Sequence, residues 1–185
     1  MSVTLDEVRQ VMNEADCLFT GDEVEVALDR LAGEISARLA DRNPLVLCVM
    51  YGGLVVTGKL LPKLPFPLEV EYLHATRYGH HFFGTELDWR VRPSADLRGR
   101  TVLIVDDILD EGATLDAIAE WCREEGAAEV LTAVLVDKEH DRKTRPGLKA
   151  DFTGVVSPDR FLFGCGMDYK GYWRNAPGIY AVKGY

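Results

Sequence analysis

The sequence predicts an α/β domain built on a twisted, mainly parallel sheet that is flanked by helices. Two apolar runs, LVLCVM at 45–50 and TVLIVD at 101–106, are typical of strands that are buried on both faces. A third run, EVLTAVLVDK at 129–138, follows the second after a helical segment. Strand, helix and strand in this order imply a right-handed parallel crossover. With 185 residues, 47% of them hydrophobic, the chain is long enough for one domain and short for two.

The first predicted element is an amphipathic helix over 22–41, which ends before Pro44. It places five apolar side chains on one face at helical spacing: Val24, Leu28, Leu31, Ile35 and Leu39. The later elements are predicted, in chain order, as a strand at 45–50, a helix at 53–64, strands at 67–78, 85–91 and 101–106, a helix at 114–125 and a strand at 129–138. Short apolar runs at 152–156, 160–163 and 179–182 follow in an aromatic, glycine-rich tail. We expect a core of about five strands over about 22–150, and a small hood formed by about 151–185 with the N-terminus.

Composition argues against several classes of protein. The formal net charge of −9 disfavours a nucleic-acid-binding surface, because phosphate backbones are bound by basic faces. The four cysteines are scattered without a CxxC spacing, which favours reduced thiols and a cytoplasmic protein. The N-terminus lacks the basic and apolar regions of a signal peptide, and no apolar run approaches membrane-spanning length. We expect a soluble cytoplasmic protein with no nucleic-acid or membrane partner.

The segment VDDILDEGATL places an acidic cluster at the carboxyl end of a predicted strand. Asp106, Asp107 and Asp110 are close enough to repel one another, so a cation, or a substrate that carries one, is their natural complement. Gly112 allows the backbone to turn its amides inward, and the helix that begins next presents N–H groups that favour an anion. Ligands of open parallel sheets bind at this edge. Acids for hydroxyls and metal, followed by amides for phosphate, together predict a site for a sugar phosphate.

Two simpler interpretations compete with this one. An aspartate after a strand often only caps the next helix, and each of the three aspartates taken alone fits that role. A phosphorelay receiver domain also has an apolar strand that ends in two aspartates, but there the pair lies near the start of the domain. Here more than half of the chain precedes the pair, which leaves too few residues to complete that fold.

The segment VLIVDDILDEGATL resembles the phosphoribosyl-pyrophosphate signature of the type I phosphoribosyltransferases. The tail GLKADFTGVVSPDRFLFGCGMDYKGYWRN, at 147–175, is similar to the C-terminal purine-binding segment of the hypoxanthine-guanine phosphoribosyltransferases in that family. MYGG at 50–53 and TRYG at 76–79 match the pyrophosphate loop and the lid of those enzymes in position. The resemblance covers the chain from about residue 45 to its end. It implies the type I phosphoribosyltransferase fold and a magnesium-dependent enzyme of purine salvage.

The resemblance also implies roles for individual residues. Asp106 and Asp107 would hold the ribose hydroxyls and magnesium, and Asp110 would be the general base at N7 of the purine. The residues expected to cradle the 5′-phosphate are Asp110, Glu111, Gly112, Ala113 and Thr114. Those expected around the purine are Lys149 at the 6-oxo group, Phe161 stacked on the ring, Leu162 reading the ring edge through its main chain, and Asp168, which would touch a second magnesium. Those expected at the pyrophosphate are Tyr51, Gly52 and Arg174, with Arg77 and Tyr78 in the lid.

Two residues depart from the family pattern. Tyr51 stands where the pyrophosphate loop commonly has lysine, and Arg77-Tyr78 stands where the lid commonly has Ser-Tyr. The family favours a cis bond at the position of Met50 and Tyr51. The substrates implied are 5-phosphoribosyl 1-pyrophosphate with hypoxanthine or guanine, giving IMP or GMP, in a homodimer or homotetramer. A preference for xanthine and a regulatory RNA-binding protein on the same fold remain the alternatives.

Overall fold

The computed structural model describes residues 3–77 and 87–184. Its elements are, in chain order, α1 (Leu5–Glu14), β1 (Asp16–Phe19), α2 (Gly21–Leu39), β2 (Leu45–Val49), α3 (Gly53–Leu60), β3 (Glu69–Arg77), β4 (Leu87–Val91), β5 (Thr101–Leu109), α4 (Ala113–Glu124), β6 (Glu129–Glu139), β7 (Phe152–Pro158), β8 (Leu162–Phe163) and β9 (Ile179–Ala181). A 3₁₀ turn, Leu61–Lys63, follows α3 and contains Pro62, so the helix predicted over 53–64 is α-helical only to Leu60. Residue 78 of the strand predicted over 67–78, and residues 85 and 86 of the strand predicted over 85–91, lie outside the described ranges.

Within the described residues the main sheet has six strands in the order β4-β3-β2-β5-β6-β7, where about five were expected. β2 pairs in parallel with β3 and β5, and β6 pairs in parallel with β5 and β7. Only β4, at one edge, is antiparallel to its neighbour among the described strands of this sheet. The prediction of a mainly parallel sheet flanked by helices is confirmed.

The unbroken apolar sequence of β5 follows from burial on both faces of the sheet. Leu103 and Val105 belong to the apolar cluster that includes the buried face of α2. Val102 and Ile104 belong to the cluster on the opposite face, which includes the buried side chains of α4. Burying side chains of this size contributes about 1.5–3 kcal/mol each, so a polar side chain at any of these four positions would lose that contribution.

The sequence explains features of two helices that cover the sheet, α2 and α4. α2 begins with a capping box, in which Thr20 and Glu23 satisfy each other's backbone N–H groups. Its apolar face is the one predicted, since Val24, Leu28, Leu31, Ile35 and Leu39 are all fully buried. α4 begins after Gly112 in a left-handed conformation, with φ of 83°. This glycine turns the chain at the end of β5 so that the helix can return over the sheet.

A second, three-stranded antiparallel sheet in the order β1-β9-β8 stands beside the carboxyl edge of the main sheet. It joins the N-terminal segment to the C-terminal tail. β7 pairs with β6, so the first part of the segment assigned to the hood from the sequence belongs to the main sheet, and the hood strands of the tail begin at Leu162. Within the described residues, no helix is long and apolar enough to cross a membrane.

Candidate active site

A cleft of about 550 Å³ opens at the carboxyl ends of the main-sheet strands. Its walls come from five segments that are distant in sequence: the end of β2 with the loop after it, Ala75 of β3, the end of β5 with the first turn of α4, the end of β6, and the tail from Phe161 to Arg174. The predicted site residues that line it are Gly52, Asp106, Asp107, Asp110, Glu111, Gly112, Ala113, Thr114, Phe161, Leu162, Asp168 and Arg174. The fold therefore brings most of the predicted site together.

Asp106 and Asp107 both lie inside β5, whereas the predicted strand ended at Asp106. β5 continues to Leu109 because Ile108 and Leu109 still pair with β6, so the strand is three residues longer than predicted. The backbone N–H of Asp107 donates a hydrogen bond of 2.9 Å to Oδ1 of Asp106, and both residues line the cleft.

Glycines enclose the carboxyl group of Asp107. A β-carbon at Gly52 would overlap the Asp107 carboxylate, and one at Gly166 would overlap the carbonyl oxygen of Gly52 and crowd the Asp107 side chain. Gly166 has φ of 107°, a conformation that other residues rarely adopt. The loop after β2, which contains a cis peptide bond between Met50 and Tyr51, and the tail can therefore close on Asp107 only if both positions are glycine.

The two β5 carboxylates are electrostatically unusual. Burial raises the pKa of Asp106 well above its ordinary value, and the charge of Asp107 adds to the effect. Burial likewise raises the pKa of Asp107, although Asp106 and Arg174 oppose it. Arg174 lies 3.9 Å from Oδ2 of Asp107 and forms an ion pair with Asp168. A cation bound beside these carboxylates would favour their ionised forms, because it would offset the loss of water.

Asp110 has the opposite character. Nζ of Lys138 donates a hydrogen bond of 2.9 Å to its Oδ2, and Nε2 of His140 lies 2.7 Å from its Oδ1. Partial burial by itself would raise the pKa of Asp110, but these two hydrogen bonds lower it below the ordinary range. Asp110 is therefore ionised at neutral pH, with 43% of its side chain exposed to the cleft.

The loop after β5 is braced from behind by the chain that connects β6 to β7. The backbone N–H of Thr144 donates a hydrogen bond of 2.8 Å to the carbonyl of Glu111, and Lys143 donates one of 2.7 Å to the carbonyl of Leu109. The side chain of Leu148 packs so closely on Gly112 that a β-carbon there would overlap it. The loop is thereby held with its amides near the start of α4, where an anion binds favourably.

The tail supplies an aromatic wall. Phe161 is 48% exposed at the cleft, and its ring meets the edge of Tyr169 at 6.0 Å between centroids. Leu162 beside it is buried and begins β8, which fixes its backbone. Asp168 accepts a hydrogen bond of 2.6 Å from the backbone N–H of Gly171, which closes the turn that carries it.

The N-terminal helix α1 holds the same turn from outside. The indole N–H of Trp173 donates a hydrogen bond of 2.7 Å to the carbonyl of Val8. Glu7 accepts a hydrogen bond of 2.9 Å from Tyr169 and forms an ion pair with Lys170. Residues on both sides of the turn are thus tied to a helix that the sequence analysis did not predict.

The structure places Lys149 outside the cleft. That side chain is exposed and lines a separate, smaller depression with Asp116 and Arg145. Lys138, at the end of β6, is buried and lines the cleft instead. The sequence contained a signal for this lysine. The predicted strand EVLTAVLVDK ends in Lys138, and that strand lies next to β5. Such a lysine falls at the same edge of the sheet as the acidic cluster.

The residues expected in the pyrophosphate loop and the lid differ in where they lie. Gly52 lines the cleft, whereas Tyr51 is 57% exposed and rests its ring on His74 with 4.7 Å between centroids. Arg77 is the last residue of β3, and Tyr78 lies outside the described residues.

These features define a class of protein: an α/β enzyme with an acidic strand end, a glycine turn that opens a helix and an aromatic wall in one cleft at the edge of a mainly parallel sheet. The chain matches the phosphoribosyl transferase domain over residues 15–170, and it belongs to that family. Its fold agrees, because the crystal structure of a hypoxanthine phosphoribosyltransferase from Staphylococcus aureus superposes with a TM-score of 0.86 at 21% identity, over 97% of each chain.

Curated relatives are similar over most of the chain. It is 32% identical to the hypoxanthine-guanine phosphoribosyltransferase of Bacillus subtilis, over 90% of this chain and 92% of that protein. It is 30% identical to the hypoxanthine-guanine-xanthine phosphoribosyltransferase of Tritrichomonas foetus, over 90% of both proteins. It is also 33% identical to the bifunctional protein TilS/HprT of Listeria innocua, of which it spans 26%.

Proposed function

We propose that this enzyme transfers the phosphoribosyl group of 5-phosphoribosyl 1-pyrophosphate to N9 of hypoxanthine or guanine, with magnesium, and releases pyrophosphate with IMP or GMP. One observation carries the proposal. A single cleft is lined by the glycine turn that opens α4, an acidic strand end, an exposed aromatic ring and a buried lysine. These are complementary to the phosphate, the ribose and the 6-oxopurine of one substrate pair. The names of the relatives from Bacillus subtilis and Tritrichomonas foetus support the same reaction class.

The purine is proposed to lie on Phe161, whose exposed ring offers a stacking surface. The backbone of Leu162, fixed in β8, would meet the edge of the base. We assign the contact with the 6-oxo group to Lys138 in place of Lys149, because only Lys138 of the two lines the cleft. An ammonium held in a buried position donates a stronger hydrogen bond to a carbonyl than a solvated one.

The sugar phosphate is proposed to lie between β5 and α4. The N–H groups of residues 111–114 would hold the 5′-phosphate, and Asp106 and Asp107 would hold the ribose hydroxyls. The same carboxylates fit magnesium, because that ion prefers carboxylate oxygens and because their raised pKa values reflect burial that a cation would offset. Asp168 is assigned to a second magnesium. When bound, magnesium would neutralise negative charge on the departing pyrophosphate.

The chemistry proposed for the chain's own residues is mainly positioning. As the bond from C1 of the ribose to pyrophosphate breaks and the bond to N9 forms, Asp110 accepts the proton from N7 of the purine. Its lowered pKa keeps it ionised and ready to accept. Arg174, which lies between Asp107 and Asp168, is assigned to the pyrophosphate.

The decisive experiment gives purified protein magnesium, the sugar pyrophosphate and each purine base in turn, and measures nucleotide formation. IMP and GMP should form, and Asp110→Asn should lower kcat by roughly 100-fold with little change in substrate binding. Failure of the unaltered protein to form either nucleotide, while it binds another base, would overturn the proposal.

Xanthine is the second candidate substrate, because the relative from Tritrichomonas foetus is named for all three bases. A comparison of kcat/KM for hypoxanthine, guanine and xanthine decides between them. A regulatory role through RNA is disfavoured by the net charge of −9. A salt-dependent shift of RNA by the protein, without nucleotide formation, would favour it.

Self-association is part of the proposal. Val70 and Tyr72 alternate on β3 and are about half exposed, which leaves an apolar strip on one face of the sheet. We expect a homodimer or homotetramer in the cytoplasm, in which a second copy covers this strip. Tyr72→Glu should shift light scattering toward the monomer, and a concentration-independent monomer for the unaltered chain would contradict the expectation.

A further inference from the structure

His140 lies in the segment that connects β6 to β7, yet it is buried and has a partner at each ring nitrogen. Its side chain is 4% exposed. The backbone N–H of Arg142 donates a hydrogen bond of 2.9 Å to Nδ1, and Nε2 lies 2.7 Å from Oδ1 of Asp110. Neither the resemblance nor the names of the relatives assign this residue a role.

These two contacts fix the tautomer of the imidazole. Since Nδ1 accepts a hydrogen bond from a backbone N–H, it cannot carry the proton in the neutral ring. The proton is therefore on Nε2, which donates to Asp110. The groups that face this pair are Lys138 on the other carboxylate oxygen, Arg142 at 4.0 Å from Asp110, and Asp159, which binds both cations.

We propose that His140 is a positioning residue for Asp110, an inference that rests on the proposed function of that carboxylate. His140 holds Oδ1 and so prevents the side chain from turning. Oδ2 is then the oxygen that faces the cleft, where Lys138 holds it until a base arrives. When Lys138 contacts the 6-oxo group of the purine, Oδ2 is left in place to accept the proton from N7. A partly exposed aspartate without this restraint would sample other rotamers.

The kinetic test compares His140→Leu, which removes the donor, with His140→Gln, which places an amide N–H near the position of Nε2. We expect His140→Leu to lower kcat by roughly tenfold or more while both KM values change by less than about twofold. His140→Gln should recover much of that loss. Glu139→Gln, at the exposed neighbouring position, is the matched control and should leave kcat unchanged. A His140→Leu variant that keeps full kcat, or that loses only substrate affinity, would overturn the proposal.

A second measurement does not depend on activity or on the Leu variant folding. Long-range ¹H–¹⁵N NMR of the histidine side chains, assigned by the signal that disappears in His140→Gln, should show the Nε2–H tautomer for His140. Asp110→Asn should shift that signal, and Glu139→Gln should not. A proton on Nδ1, or a signal insensitive to Asp110→Asn, would refute the pairing. If the unaltered protein transferred no phosphoribosyl group but gave the expected spectrum, the proposed function would fail while the pairing stood.

Discussion

Replacing Lys138 by methionine separates the two lysines that have been assigned to the purine 6-oxo group. Lys138 Nζ lies 2.9 Å from Asp110 and 3.3 Å from Asp159, and its side chain is buried at the cleft. A hydrogen bond to a charged group contributes about 1.5–3 kcal/mol, which corresponds to a loss of roughly 10- to 150-fold in affinity for the base. Lys149→Met is the control, and because that side chain is exposed outside the cleft its effect should stay below about twofold.

The stability of the Lys138→Met variant must be considered alongside its kinetics. The variant leaves two carboxylates without their shared cation, but both are more than one third exposed, and Asp159 keeps its ion pair with Arg142. We therefore expect a loss of only about 1 kcal/mol in the free energy of unfolding. The protein should fold, so the kinetic comparison can be made.

The assay is steady-state kinetics with guanine and hypoxanthine at saturating sugar pyrophosphate. Adenine, which carries an amino group instead of the oxo group, serves as a substrate control, and its use should not worsen in Lys138→Met. If Lys149→Met raised the KM for guanine and Lys138→Met did not, the assignment from the structure would be wrong.

Three further predictions follow from the same contacts. Lys138→Met should raise the pKa of Asp110, because a contact that lowers it is lost, so the acidic limb of kcat/KM should move to higher pH; an unmoved limb would contradict this. Gly52→Ala should abolish most activity, because its β-carbon would overlap the carboxylate of Asp107. Gly33→Ala is the control inside α2, where a β-carbon meets open space, and it should raise the free energy of unfolding, measured by thermal unfolding, by about 0.5–1 kcal/mol. Trp173→Phe should lower Tm by about 2–4 °C, because the hydrogen bond between the indole and the Val8 carbonyl of α1 is lost, and an unchanged Tm would show that this bond does not brace the turn.

The parts of the site that could be predicted are those whose geometry is local in sequence. The segment from Asp106 to Thr114 forms one strand end, one turn and one helix start, so its order in the chain nearly determines its order in space. The amphipathic face of α2 was predictable for the same reason, since helical periodicity alone decides which side chains are buried.

The choice between Lys138 and Lys149 is not local in this sense. Lys138 precedes the segment 147–175 that carries the resemblance, whereas Lys149 lies inside it, and the resemblance favoured Lys149 as the lysine that precedes the DF pair. Burial separated them, because β6 ends beside β5 whereas the connection to β7 runs over the surface. Where a strand ends depends on its pairing with neighbours, which a single sequence does not display.

The hood was the least predictable part for a related reason. β1 pairs with β9, although the two strands are separated by most of the chain, and each has only three or four residues. Such short strands carry too little periodicity to be recognised. α1 was different, because Thr4 and the acidic first turn of LDEVRQVMNE are a helix start that could have been found.

The acidity of the chain can be reconciled with anionic substrates by the way the cleft cations are paired. Lys138 binds Asp110, and Arg174 lies beside Asp107 and binds Asp168. In the proposed function each of these carboxylates acts only when substrate is bound. Asp110 accepts a proton, Asp107 holds ribose hydroxyls and magnesium, and Asp168 holds a second magnesium. Substrate binding is then an exchange, in which the 6-oxo group takes Lys138 and the pyrophosphate takes Arg174, and each carboxylate is released for its own role. Such an exchange depends on the few charges within the cleft and little on the net charge of −9, because solvent screens distant surface charges beyond about 10 Å.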